Sequence, residues 1–400
     1  MAAMSARVSL PLAASYVGFF LPAGVLLSYL PLFLAGKGLQ AAEVGLIFSA
    51  VFAVKLMTGP AIAWWADRRQ RQNLLLAVAA WTSVACGVLL SVSDRFELVL
   101  LSVICIAVCR NYFQCMLEAL ATRIKNSGAA PRYGLMRGIG STSVCLGVVL
   151  FGGLWAAGPS YQQVVLPLMI LASGFVLIIC LRAVGSANVI ASRPDPVADA
   201  ALNGSARDRV VSQLLLLLGA TLLIGANGVF YSTATLLMSE RGVNPAGIAV
   251  LWCVAFGVEA LGFAAFDRLR VWCGTLWFFA AAVALALVRW FLFTQNGELM
   301  WMAVAFALHV TSFSWLHAFC ANWVRDSGPA KFAVTAQALY TACAHGIGMA
   351  VAAYFASMLL PSHGSSVYWI AAAMTLSGAL ALGLRAALEG VPRGIKSTTI

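Results

Sequence analysis

Polar residues break this 400-residue chain into about twelve apolar runs, each near the ~20 residues needed to cross a hydrocarbon core as a helix. The runs lie at 8–34, 43–66, 73–93, 98–124, 133–158, 161–184, 210–238, 245–266, 273–294, 299–324, 331–360 and 365–388. None shows the short polar/apolar alternation of a barrel strand. The pattern predicts an all-α membrane protein of twelve transmembrane helices. Pro22, Pro31, Gly152, Gly153 and Pro167 fall inside runs, which helices in lipid tolerate better than helices in water. The first run, at 27 residues, exceeds the about 7–15 apolar residues of a signal-peptide core, so it is expected to remain as a span.

The longest polar stretch, 185–209, falls between spans six and seven. It divides the chain into an N-terminal six-helix bundle (1–184), a cytoplasmic linker (185–209), a C-terminal six-helix bundle (210–388) and a cytoplasmic tail (389–400). The halves repeat each other at an offset near 200. Gly38-Leu-Gln-Ala-Ala-Glu-Val-Gly45 opens span 2 and Gly242-Val-Asn-Pro-Ala-Gly247 opens span 8. Asp67-Arg68 closes the first of these and Asp267-Arg268 the second, and Lys55 maps onto Glu259. Arg110 and Glu118 of span 4 map onto His309 and His317 of span 10. Two parallel repeats with a site between them near the midplane are a transporter architecture.

Composition sharpens this reading. The chain is 62% apolar and only 10% charged, against about 25% charged in soluble domains, so a large water-facing surface is excluded. The net charge of +11 follows from topology. If the N-terminus is cytoplasmic, 18 Lys and Arg fall on the cytoplasmic side and three (Lys37, Arg95, Arg241) on the other. Basic residues accumulate in cytoplasmic loops, so both termini are expected in the cytoplasm of a multi-pass protein of the bacterial inner membrane. No nucleic-acid partner is needed to explain the charge. The ten cysteines all lie within spans, without CxxC or Cys/His spacing, and read as packing residues rather than metal ligands. No phosphate-binding loop and no cofactor motif is present in the sequence.

Charge inside the membrane is costly and marks function by default. Lys55, Arg110, Glu118, Arg137, Glu259 and Arg289 lie inside spans, with His309, His317 and His345. At about 1.5 Å per residue, Lys55, Arg110 and His309 come close to the midplane, with Glu259 slightly deeper. Glu118 lies in the cytoplasmic half, within reach of Arg137, and Arg289 in the outer half of span 9. Tyr16, Asn227, Tyr231 and Tyr340 are polar candidates beside them, although a tyrosine in a span is more often packing.

The loop after span 2, Ala63-Trp-Trp-Ala-Asp67-Arg68-Arg-Gln-Arg71, resembles the G-x-x-x-D-R-x-G-R loop of the major facilitator superfamily. Asp67, Arg68 and Arg71 match, while Ala63 and Gln70 stand where the motif has glycine. Tyr133-Gly-Leu-Met-Arg137-Gly-Ile-Gly-Ser141, Val258-Glu259-Ala260, Val288-Arg289-Trp290 and the segment Leu308-His309 to His317 resemble the bacterial 3-phenylpropionic acid transporter family. More distantly, Glu118, Arg137, Glu259, Arg289 and His309 are similar in placement to the charged set of the lactose permease family. That family carries a proton on a glutamate three residues after the histidine, and Ser312 stands there in this chain.

The resemblance implies a proton-coupled secondary transporter, acting as a monomer in the bilayer, whose partners are protons and a small molecule. Four fixed cations against two carboxylates favour an anion, and aromatic neighbours suit an apolar body. The expected substrate is therefore a small aromatic carboxylate, its carboxylate meeting Arg289 or Lys55 while Glu259 takes the proton. A sugar or nucleoside symporter is the alternative. A membrane enzyme using His309 or His317 as base would need clustered His/Asp and a nucleophile, and neither accompanies them.

Overall fold

The computed structural model describes residues 2–69, 72–126, 133–156, 158, 166–170, 172–176, 179, 206–295, 299–327, 336 and 339–389, with side chains over most of them. The expected tail beyond 389, and the expected linker up to 205, lie outside these residues. Among the described residues all regular structure is helical, and helical residues fall in each of the twelve predicted spans. Seven stretches are long and apolar enough to cross a membrane. One of them, Leu339–Leu388, is divided by a tight turn at Gly364–Val367 into the helices of spans 11 and 12.

Spans 2, 4 and 5 are the helices Ala41–Arg69, Phe96–Asn126 and Tyr133–Ala156. Span 1 is broken at Tyr29 into Ala2–Ser28 and Leu30–Gly36, where Pro31 has no backbone N–H to continue the ladder. Span 7 is broken at Ala226 into Ala206–Gly225 and Asn227–Glu240. Spans 8 and 9, Pro245–Cys273 and Thr275–Thr294, meet at Gly274 alone. The sequence pattern assigned Cys273 to span 9; the structure carries helix 8 through it, because Gly274 makes the turn at φ +79°, a conformation that only glycine adopts freely.

Two turns expose the repeat at atomic level. Gly38 N–H donates to Ala35 and Leu39 N–H to Leu34, and Gly242 and Val243 bond Ser239 and Met238 in the same way. Every member is displaced by 204 positions, and both glycines have positive φ, +84° and +76°. These are six-to-one helix terminations with a left-handed residue. The following helices are capped in different ways. Glu43 accepts from Gln40 N–H at 2.8 Å, whereas Asn244 accepts from Gly247 N–H at 2.7 Å ahead of Pro245, a preferred helix start.

The halves meet at the end that carries these turns. Tyr29 Oη donates to Pro245 O at 2.6 Å across the divide. Thr235 Oγ1 donates to Ser28 O and accepts from Trp252 Nε1 at 3.0 Å. Tyr29 also packs on Phe151 and Trp155, and Gly45 lies directly against Ser357. Lys37, taken from the sequence as a loop charge, is buried. It donates to Asp94 Oδ1 at 2.7 Å and to Ser93 O at 3.1 Å, and so ties the end of span 1 to the turn before span 4.

Apart from these polar contacts, helices approach through small residues. A Cβ on Gly225 would lie 2.8 Å from the backbone of Gly348. With lipid as apolar as any core, such close backbone approach is a principal source of helix association. Gly225→Ala is expected to lower stability by about 1–3 kcal/mol through overpacking, while Gly257→Ala, with nothing within 4 Å of the added carbon, is close to neutral. Thermal unfolding in detergent compares the two.

Candidate functional site

Span 9 turns Val283, Ala286, Arg289, Trp290 and Phe293 inward. Arg289 is fully buried. Its Nε donates to Ala305 O at 2.9 Å and its Nη1 to Ser312 Oγ at 2.7 Å and Asn227 Oδ1 at 3.3 Å. The guanidinium lies over Phe230, 4.2 Å from the ring centre. Asn227 is fixed in orientation, since its Nδ2 donates to Ile224 O and Ser312 O while its Oδ1 accepts from Arg289 and Ser312. Arg289 Nε and Nη1 are thus bonded to neutral oxygens from spans 7 and 10. Among the described residues it makes no salt bridge, and its Nη2 has no hydrogen-bond partner. Ser312 holds the arginine where the lactose permease family places an acid.

Glu259 pairs instead with His309. Oε2 lies 3.1 Å from Nε2, with the histidine fully buried and the carboxylate 19% exposed. Tyr231 Oη reaches the same nitrogen at 3.2 Å, and Tyr231 stacks on Trp252. Span 10 makes this possible by departing from the α-helix. After Leu299–Ala307 comes a π-turn at Thr311–Trp315, then Leu316–Asp326. Carbonyls at such an interruption lose helical partners, and the Ala305 carbonyl in the last turn before it serves Arg289. A second π-turn, Ala342–Gly348, lies in span 11. His317 Nδ1 meets Tyr340 Oη at 2.7 Å and His345 Nε2 at 3.1 Å.

In the first half, span 4 presents Arg110 to a cavity of about 210 Å³ between spans 1, 2 and 4. Phe19, Phe20, Phe48 and Phe52 share its wall with aliphatic side chains, and among the described residues Arg110, Asn111 and Gln114 are its polar groups. Arg110 Nη2 donates to Phe19 O at 2.6 Å, and the guanidinium rests 4.5 Å from the centre of the Phe19 ring. That is its single described hydrogen bond. Asn111 Nδ2 donates to Thr58 Oγ1 at 3.2 Å.

The structure therefore distributes the expected residues over three places: Arg110 in the cavity of the first half, Glu259, Arg289 and His309 in one network of the second, and His317 beside span 11. The side chains of Lys55, Glu118, Arg137, Asp67 and Arg68, and the whole of Arg71, lie outside the described ones. Sequence reasoning missed Asn111 and Gln114, although their spacing from Arg110 on one helix was a usable signal. It also treated Ser312 only as a missing acid. Among the described residues no three His, Cys, Asp or Glu side chains are placed to hold a metal ion.

Comparison with known proteins agrees with this architecture. Over 376 residues the chain is 24% identical to the probable 3-phenylpropionic acid transporter of Escherichia coli (strain K12), covering 91% of this chain and 94% of that one. Among solved structures it is similar to the nucleoside transporter NupG, with a TM-score of 0.74 at 12% identity over 95% of this chain and 98% of the other. An auto inhibited peptide transporter of the POT family gives 0.68 at 12% identity over 99% and 98%. The model of the MFS_1 like family matches residues 10–371. The chain belongs to that family of major facilitator transporters, multi-pass membrane proteins that carry small molecules and are not enzymes.

Proposed function

We propose that the protein is a proton-coupled symporter for a small aromatic carboxylate in the bacterial inner membrane, working as a monomer with both termini in the cytoplasm. The observation that carries the reading is the first-half cavity. It is smaller than the about 300–1,000 Å³ of sites for drug-sized ligands, its walls are phenylalanines and aliphatic side chains, and its one described cation is Arg110. An arginine donates paired hydrogen bonds to a carboxylate, and the phenyl walls receive the apolar body. Arg110, rather than the buried Arg289, is then the carboxylate's partner among the described cations. Glu259 with His309 takes the proton. A sugar or nucleoside needs many hydrogen-bonding groups around its ring, and among the described residues Arg110, Asn111 and Gln114 are the polar groups of this cavity.

With this orientation the seal formed by Tyr29, Pro245, Thr235 and Ser28 lies on the outer side. The named relative points to the same substrate class. Arg110→Gln is expected to weaken binding of 3-phenylpropionate by about 10–100-fold, the loss of one charge-assisted interaction of about 1.5–3 kcal/mol, and to leave binding of 3-phenylpropanol unchanged. Calorimetry on the detergent-solubilised protein checks this. Unaltered affinity for the acid, or competition by lactosides and nucleosides in its place, would overturn the reading.

A further inference from the structure

The chain has four histidines, and three of them stand at the two π-turns. His309 precedes the first by two residues, His317 follows it by two, and His345 lies inside the second. Such turns recur at functional sites because the added residue rotates the side chains beyond it. Phe313 also lies four residues from each of His309 and His317, a spacing that sets side chains on one helix face, and the three rings form a column. Phe313 stacks on His309 with centres 5.5 Å apart and 17° between planes, and on His317 at 5.9 Å and 8°. Its edges meet Tyr231 at 6.3 Å and His345 at 5.8 Å. On one side of this ring is the cluster Glu259, His309 and Tyr231; on the other is His317, Tyr340 and His345.

We propose that the second cluster is a proton-holding station and that the phenyl ring of Phe313 is the barrier between it and Glu259. The proposal rests on the proton-coupled reading above. His317 Nδ1 faces a hydroxyl and an imidazole nitrogen at hydrogen-bond distance. Unprotonated, it accepts a hydrogen bond; protonated, it donates one to Tyr340 Oη or to His345 Nε2. The trio thus takes up one proton by reversing hydrogen bonds with little movement of atoms. Phe263 covers His317 from span 8. Cys320 lies beside Tyr340, with Arg385 of span 12 beyond it. On the opposite side of Phe313, Arg289 acts electrostatically on His309. A phenyl ring has no donor or acceptor, so a proton crosses only when the π-turn moves Phe313 aside, as the rocking of the halves would do. Phe313 is in this sense a positioning residue: it sets when the two stations communicate.

The test uses the full chain in proteoliposomes with a pH-sensitive dye inside. With no substrate present, Phe313→Ala is expected to dissipate an imposed pH gradient at least tenfold faster than the wild type. Phe313→Leu, which keeps an apolar plug, stays as tight as the wild type, and adding Glu259→Gln to Phe313→Ala closes the leak. Phe313→Val, a smaller truncation, gives the same result and serves if alanine impairs folding, with exchange of 3-phenylpropionate as the check on folding. A tight, exchange-competent Phe313→Ala or Phe313→Val beside a wild type that couples protons to 3-phenylpropionate would overturn the barrier alone. A wild type whose lumen does not change pH when 3-phenylpropionate is added would overturn the coupling reading, and the barrier with it.

Discussion

Glu259→Gln is expected to abolish accumulation driven by a pH gradient and to leave exchange of substrate intact. The amide is nearly isosteric with the carboxyl group and keeps an oxygen for the 3.1 Å contact with His309 Nε2, so the packing around Tyr231 and Trp252 is retained. What is lost is the ability to bind and release a proton. Symport of one proton with one carboxylate is electroneutral and therefore follows the pH gradient. Each pH unit supplies about 1.4 kcal/mol and sustains about a tenfold accumulation. In the variant that ratio falls to unity, while counterflow of labelled 3-phenylpropionate against unlabelled continues near the wild-type rate. Proteoliposomes with an acid exterior measure both quantities. Unaltered accumulation would remove Glu259 from the proton path. Arg289 supports the assignment by what surrounds it: its described hydrogen-bond partners are neutral oxygens of Ala305, Asn227 and Ser312, so its role in this network is not to titrate against a bonded acid.

Legibility in the sequence differed by level. The spans were readable because lipid imposes a length on apolar runs, and the repeat was readable because Gly38 and Gly242 recur before matching helix starts. The structure gives that resemblance a physical cause in two identical helix terminations. Which face each charged residue presents was not readable. A soluble helix betrays its rotation through an apolar stripe, but a helix that is apolar all round carries no such phase. Depth alone put the intramembrane charges into a single cavity; rotation sends Arg110 to the phenylalanine-walled cavity and Arg289 into the interior of the second half. The π-turns were equally hidden, since a single added residue leaves composition and hydropathy unchanged, although the four-residue spacing of His309, Phe313 and His317 that stacks their rings was there to be read. Lys37 shows the same limit on a smaller scale. Its position after span 1 marked it as a surface charge, and only tertiary packing reveals the pairing with Asp94 and the contact with Phe33.

Oxidative cross-linking of Cys145 to Cys253 is expected to arrest transport completely, and reduction to restore it. Cys145 belongs to span 5 of the first half and Cys253 to span 8 of the second, and the Cys253 thiol donates to Cys145 O at 3.5 Å. The two cysteines sit in the same span 5–span 8 contact that places Gly152 against Ala249 and Pro245. Alternating access requires this contact to open as the halves rock, and a covalent link forbids it. The chemistry is a two-electron oxidation: copper phenanthroline with dioxygen accepts the electrons, the two thiols lose their protons, and one S–S bond forms. In a variant retaining only this pair of cysteines, uptake and exchange of 3-phenylpropionate both fall to background after oxidation and recover on addition of dithiothreitol. Cys145→Ser in the same background is indifferent to the oxidant. A cleavage site engineered between 185 and 209 reports the cross-link itself, because the two halves then migrate together on non-reducing gels. Full transport by protein shown in this way to be cross-linked would mean that the span 5–span 8 contact stays closed throughout the cycle, and that the halves move about it as a hinge.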